Sequence, residues 1–168
     1  MKLEQTNRII IKIGSALLFN ETSGSLNKEW LNSLAEDVKY LIENDKEVII
    51  VSSGAIAMGA KDLDLDMKNM KMDMNQAVSA VGQIHLMGSF KSAFEKNEIK
   101  ISQILLTLDD TEPRRRSINA RRTIDTLLKL GIVPVVNEND TIATSEIRYG
   151  DNDRLASRVA QITSADCL

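Results

Sequence analysis

Cysteine is almost absent: Cys167 is the single one in 168 residues. An internal disulfide framework is therefore excluded, and a reducing compartment is expected. Cys167 itself reads as a small near-core residue at the end of the chain. Net positive charge is missing too. Lys and Arg number 21 against 24 Asp and Glu, a net charge of -3, with no electrostatic reason to expect nucleic-acid binding. No apolar run approaches the ~20 residues that a bilayer-spanning helix needs, so no membrane partner is expected. Residues 9–13 are too short a run for a signal-peptide core, and Lys12 interrupts them. Cytoplasm is the expected location. Neither GxxxxGK[ST] nor GxGxxG occurs, and His85 has no ligand-spaced partner, so no protein-held metal is expected.

What is present is the balance of a folded protein: 43% hydrophobic and 27% charged residues, enough length for one domain with a sizeable core. Four β-branched runs, residues 8–13, 47–51, 100–107 and 132–136, read as strands, all of them buried. Helices are predicted between and after them. Trp30, Leu31, Leu34, Val38, Leu41 and Ile42 give a helix over residues 27–44 with Asn27 as N-cap. Ala77, Val78, Val81, Ile84, Met87, Phe90 and Phe94 give one side of a helix over 75–97, where Gly82 and Gly88 suggest a closely packed neighbouring backbone. A third helix over 114–130 ends at Gly131, a C-cap, and leaves Arg114, Arg115, Arg116, Arg121 and Arg122 as a mostly solvated face. Residues 61–74 read as a solvated connection, 109–113 as a polar turn, and 141–149 as an excursion or hairpin. A last helix over 152–162 takes Asp151 as its N-cap. Alternating strands and helices define an α/β protein with a mainly parallel sheet sandwiched by helices.

In such sheets ligands gather at the C-terminal ends of strands, and three polar signals fall there. Lys12, inside a β-branched strand, needs a charged partner, and Gly14 and Ser15 behind it allow backbone N–H groups to approach an anion. Ser53, Gly54 and Ala55 follow the second strand and open a helical turn, a second candidate anion cradle. Residues 133–136 run into Asn137, Glu138, Asn139 and Asp140, and Asp151, Asn152 and Asp153 follow ten residues later. Carboxylates and amides together suit a zwitterion, carboxylates facing an ammonium and amides facing a carboxylate. The convergence predicts a phosphate-handling site beside a polar small-molecule site.

IIIKIGSALL, VIIVSSGAIAMGA, AVGQ, QILLT, NARRT, VPVVNENDTIATSEI and YGDNDRLA resemble the amino-acid kinase family over nearly the whole chain. NENDTIATSEI followed by GDND is similar to the member that phosphorylates L-glutamate and opens proline biosynthesis. That resemblance implies ATP-dependent transfer of a phosphoryl group to the side-chain carboxylate, with Mg²⁺ carried by the nucleotide. Lys12 would be catalytic and sit on the ATP phosphates with Gly14 and Ser15; Asp153 would orient the catalytic lysines. Ser53, Gly54 and Ala55 would hold one end of L-glutamate. Asn137, Asp140 and Asn152 would recognise its amino-acid groups, Asp140 facing the ammonium. It also implies a homo-oligomer and proline as feedback inhibitor.

Against the family pattern, residues 1–168 carry the amino-acid half and the first phosphate turn. The adenine and ribose site and a second phosphate-facing lysine are absent from them. Weak or no activity of these residues alone is expected, together with a sheet edge open to association. The alternatives are another kinase of the same fold, acting on a different amino acid, carbamate or UMP, and a non-catalytic amino-acid-binding module.

Overall fold

The computed structural model describes residues 5–20, 25–68, 70–111, 114–143 and 151–168, without the side chain of Asp151. Four parallel strands, β1 (Arg8–Ile13), β2 (Glu47–Ser52), β3 (Lys100–Leu106) and β4 (Ile132–Glu138), lie in the order β1-β2-β4-β3. The helices are α1 (Ser15–Leu18), α2 (Lys28–Glu43), α3 (Ala55–Asp62), α4 (Met72–Glu95), α5 (Leu108–Thr111), α6 (Arg114–Lys129) and α7 (Asp151–Thr163).

Two apolar clusters make this a three-layer α/β/α molecule. On one face of the sheet, Leu31, Leu34 and Val38 of α2 and Leu86, Phe90 and Phe94 of α4 cover Ile13, Val48, Ile50 and Val135. On the other, Ile124 of α6 and Leu155, Ala156 and Val159 of α7 cover Ile10, Ile49, Val51 and Val136. Phe90 and Phe94 are fully buried, with ring centroids 6.0 Å apart. Each such side chain contributes about 1.5–3 kcal/mol relative to exposure.

The helix ends follow the sequence chemistry. Asn27 caps α2 by accepting a hydrogen bond from Trp30 N at 3.2 Å, and Trp30 packs partly buried against the core. Gly131 closes α6 at φ +69°.

Several expectations fail for identifiable reasons. β3 is an edge strand, not a buried one: Lys100, Gln103 and Leu105 are exposed. The predicted apolar side of α4 holds at Val78, Phe90 and Phe94 but not along its whole length. Ile84 is 74% exposed, whereas Ser79 and Gln83 are buried. The helix touches α3, α2 and the sheet, so its buried surface is not a single stripe. The 61–74 connection is shorter than expected, with α3 reaching Asp62 and α4 starting at Met72. Thr107 and Asp110 cap one another at the start of the single turn α5, where a plain polar turn was expected. α7 begins at Asp151, whose predicted capping side chain lies outside the described atoms, as does most of the 141–149 excursion. Of the two sheet edges, that of β1 is covered by the chain itself, Ile10 N donating to Cys167 O at 2.9 Å and Asp166 N to Arg8 O at 2.9 Å, while β3 is paired on one side only among the described residues. Gly82 and Gly88 part company. A Cβ on Gly82 would lie 1.8 Å from Ala55 O, but one on Gly88 would meet nothing within 4 Å.

Candidate functional site

The register of the sheet brings the polar signals together. Ile13 pairs with Ser52 and Val51 with Val136, so the residues leaving β1, β2 and β4 emerge side by side at one sheet edge. The cavity there has a volume of about 520 Å³. All ten candidate site residues read from the sequence line it: Lys12, Gly14, Ser15, Ser53, Gly54, Ala55, Asn137, Asp140, Asn152 and Asp153.

At the β1 end, Lys12 Nζ lies 2.6 Å from Asp153 Oδ1, an ion pair between β1 and the first turn of α7. Both side chains keep contact with solvent, 29% and 63% exposed. Such a pair contributes about 0–1 kcal/mol to stability, so stability alone is a poor reason for a lysine at this strand end. The absent Cβ of Gly14 would stand only 3.6 Å from Nζ. An ammonium beside a side-chain-free turn is chemistry that fits a phosphate.

At the β2 end, Ser53 Oγ donates to Ile13 O at 3.1 Å and ties this turn to the first. Gly54 precedes α3 at φ +103°, and a Cβ there would approach Phe19 to 2.8 Å, so only glycine fits. α3 is held by its crossing with α4. A Cβ on Gly59 would meet Val78 O at 1.9 Å, and one on Gly82 would meet Gly59 N at 2.6 Å.

At the β4 end, Asn137 is 3% exposed and Asp140 8%. Asn137 Oδ1 accepts from Glu138 N at 2.9 Å, which leaves Asn137 Nδ2 buried without a hydrogen-bond partner among the described residues. Asn152 Oδ1 is likewise buried and unpartnered among them. A buried polar atom without a partner costs about 1–3 kcal/mol. Both residues line the cavity, Asn137 with an unpartnered donor and Asn152 with an unpartnered acceptor. Asp140 Oδ2 accepts from Ser79 Oγ at 2.5 Å, a bond between two buried groups.

Sequence reasoning passed over Glu138, Asn75 and Met67, which also line the cavity. It also passed over Ser79 and Gln83, which stand behind it. Glu138 lay in plain view inside the polar cluster; nothing in the spacing of α4 pointed to Ser79. His85 pairs with Asp62 at 3.2 Å, in keeping with ordinary polar duty. The arginines of α6 are exposed as expected, Arg116 reaching Asp110 at 3.2 Å and Arg121 reaching Asp125 at 3.5 Å. No group of three or more His, Cys, Asp or Glu side chains suited to a metal exists among the described residues. None of their helices is long and apolar enough to cross a membrane.

A parallel α/β/α sandwich thus gathers lysine, glycine and amide groups at its strand ends. The fold has a solved counterpart in UMP kinase from Bacillus anthracis, with a TM-score of 0.61 at 16% identity over 96% of this chain and 62% of that one. Residues 7–168 match the model of the amino acid kinase family, and the chain belongs to that family. It is 60% identical over its whole length to the glutamate 5-kinase of Pelagibacter ubique, of which it covers 45%. It is 55% identical over 166 residues to glutamate 5-kinase 1 of Mesorhizobium japonicum, of which it covers 44%. The chain therefore spans less than half the length of these curated relatives.

Proposed function

We propose that this chain forms the amino-acid half of an enzyme that transfers a phosphoryl group from ATP to the side-chain carboxylate of L-glutamate, the reaction that opens proline biosynthesis. The observation that carries the reading is one cavity lined by Lys12, Asp140 and two amides, Asn137 and Asn152, each with a buried atom that has no hydrogen-bond partner among the described residues. Asn137 offers a donor to a carboxylate. Asn152 offers an acceptor, and Asp140 a negative charge, to an ammonium. An α-amino acid presents both groups on one carbon.

ATP supplies the phosphoryl group, with Mg²⁺ carried on its phosphates; Lys12, Gly14 and Ser15 would hold those phosphates from this chain's side. The glutamate side chain is already an anion at neutral pH and needs no base to become a nucleophile. The work left to the protein is alignment and charge compensation. Lys12 answers the negative charge between nucleotide and acceptor, and Asp153 keeps its ammonium aimed along the cavity. Ser53, Gly54 and Ala55, at the N-terminus of α3, would receive a carboxylate of the acceptor on backbone N–H groups. Proline as a feedback inhibitor at the same amino-acid site and assembly into a homo-oligomer belong to the same reading.

The test is ADP release with each candidate acceptor, with hydroxylamine trapping of the acyl phosphate where the acceptor is a carboxylate, by the full-length enzyme carrying this sequence. L-Glutamate is expected to be the preferred acceptor over L-aspartate, N-acetyl-L-glutamate, carbamate and UMP. Preference for any of the other four would replace the reading.

A further inference from the structure

A helix that lines the cavity only through Asn75 holds its β4 side. α4 carries three polar side chains at positions 76, 79 and 83, which the helical repeat stacks on one face. Gln76 Nε2 donates to Ala143 O at 3.1 Å, Ser79 Oγ to Asp140 Oδ2 at 2.5 Å, and Gln83 Nε2 to Glu138 O at 3.5 Å. Gln83 is in turn held by Gln103 of β3, whose Nε2 donates to its Oε1 at 3.0 Å. All three α4 contacts end on the segment 138–143, which connects β4 to the rest of the site. The same helix is locked to α3 by the Gly59–Gly82 crossing. The Ser53–Ala55 turn and the Asp140 carboxylate are thereby referenced to one rigid rod.

Ser79 is the sharpest member. It is fully buried, where alanine would be the better helix former and would need no partner. Its hydroxyl has one use, a hydrogen bond to a charged acceptor. We infer that Ser79 is a positioning residue: by fixing the plane of the Asp140 carboxylate it sets recognition of the substrate's ammonium, and with it the preference for an α-amino acid over a plain dicarboxylic acid. The inference rests on the amino-acid reading of the cavity given above.

Isothermal titration of the full chain with L-glutamate and with glutarate, which lacks only the amino group, separates the two. In wild type L-glutamate binds more tightly than glutarate. Ser79→Ala is nearly isosteric and favours the helix; it is expected to cut that preference about tenfold, the low end of the loss of a hydrogen bond to a charged group. Glutarate affinity stays unchanged. Ser79→Thr, which keeps the hydroxyl, retains the preference to within about threefold on the same scale. Equal weakening of both ligands by Ser79→Ala marks a merely structural serine and overturns the inference, as does an unchanged preference or a threonine variant as poor as alanine. Wild type that binds neither ligand overturns the amino-acid reading and the inference with it.

Discussion

Lys12 Nζ and Asp153 Oδ1, 2.6 Å apart, join the first strand of the sheet to the last helix across the mouth of the cavity. The pair is too exposed to stabilise the fold by much, yet it fixes where an ammonium stands among the strand ends. Lys12→Ala in the full-length enzyme is expected to lower turnover by about 10²–10³, the usual cost of removing one preorganised electrostatic donor. Single-turnover kinetics measure this. A change below about threefold would take Lys12 out of the chemistry.

Two glycines on α4 should respond in opposite directions. At Gly82 an added methyl group runs into backbone, 1.8 Å from Ala55 O, and backbone cannot rotate away. Gly82→Ala is expected to destabilise by at least about 1–3 kcal/mol, as overpacking does, and to shift the start of α3. At Gly88 nothing stands in the way, so Gly88→Ala should stabilise by up to about 1 kcal/mol through helix propensity. Urea denaturation of both variants checks the signs.

Acid stability depends on two carboxylates, Asp166 beside the start of β1 and Asp110 just after β3. Asp166 Oδ2 accepts from Asn7 N and Arg8 N, both at 2.8 Å, and these backbone bonds hold its pKa below the ordinary carboxylate value. For Asp110, burial alone would raise the pKa. Hydrogen bonds from Thr107 N and Oγ1, aided by Arg116, outweigh it and bring the value down. A carboxyl group whose folded pKa is depressed binds fewer protons folded than unfolded. Its stabilisation is therefore complete above the unfolded value, about 4, and fades as pH falls toward the folded one. Asp166→Asn should flatten the loss of stability between neutral pH and about pH 3. Urea midpoints across that range measure it, and an unchanged acid limb would discount the Asp166 contacts.

The architecture and the meeting of the candidate site residues at one cavity were legible because both rest on local patterns. β-Branched runs marked the four strands, and polar residues behind them marked the strand ends. The parallel order then had no choice but to gather Lys12, Ser53 and Asn137 at one edge. β3 was misread as buried because Ile101, Ile104 and Leu106 look alike in a central and an edge strand; only the order of strands decides. Gly88 was misread because a glycine forced by a neighbouring backbone and one with nothing beside it are the same letter. Ser79 was missed for the complementary reason. Its partner Asp140 is distant in the chain, and a serine within a helix carries no signal of what it faces.

The most direct measurement is a crystal structure of this chain with L-glutamate. The ammonium is expected within hydrogen-bond reach of Asp140 and Asn152 Oδ1, with Asn137 Nδ2 on a carboxylate oxygen and the side-chain carboxylate directed toward Lys12. Glutamate bound outside the cavity, or inside it with both amide atoms still unpartnered, would contradict the assignment of this cavity to an amino acid.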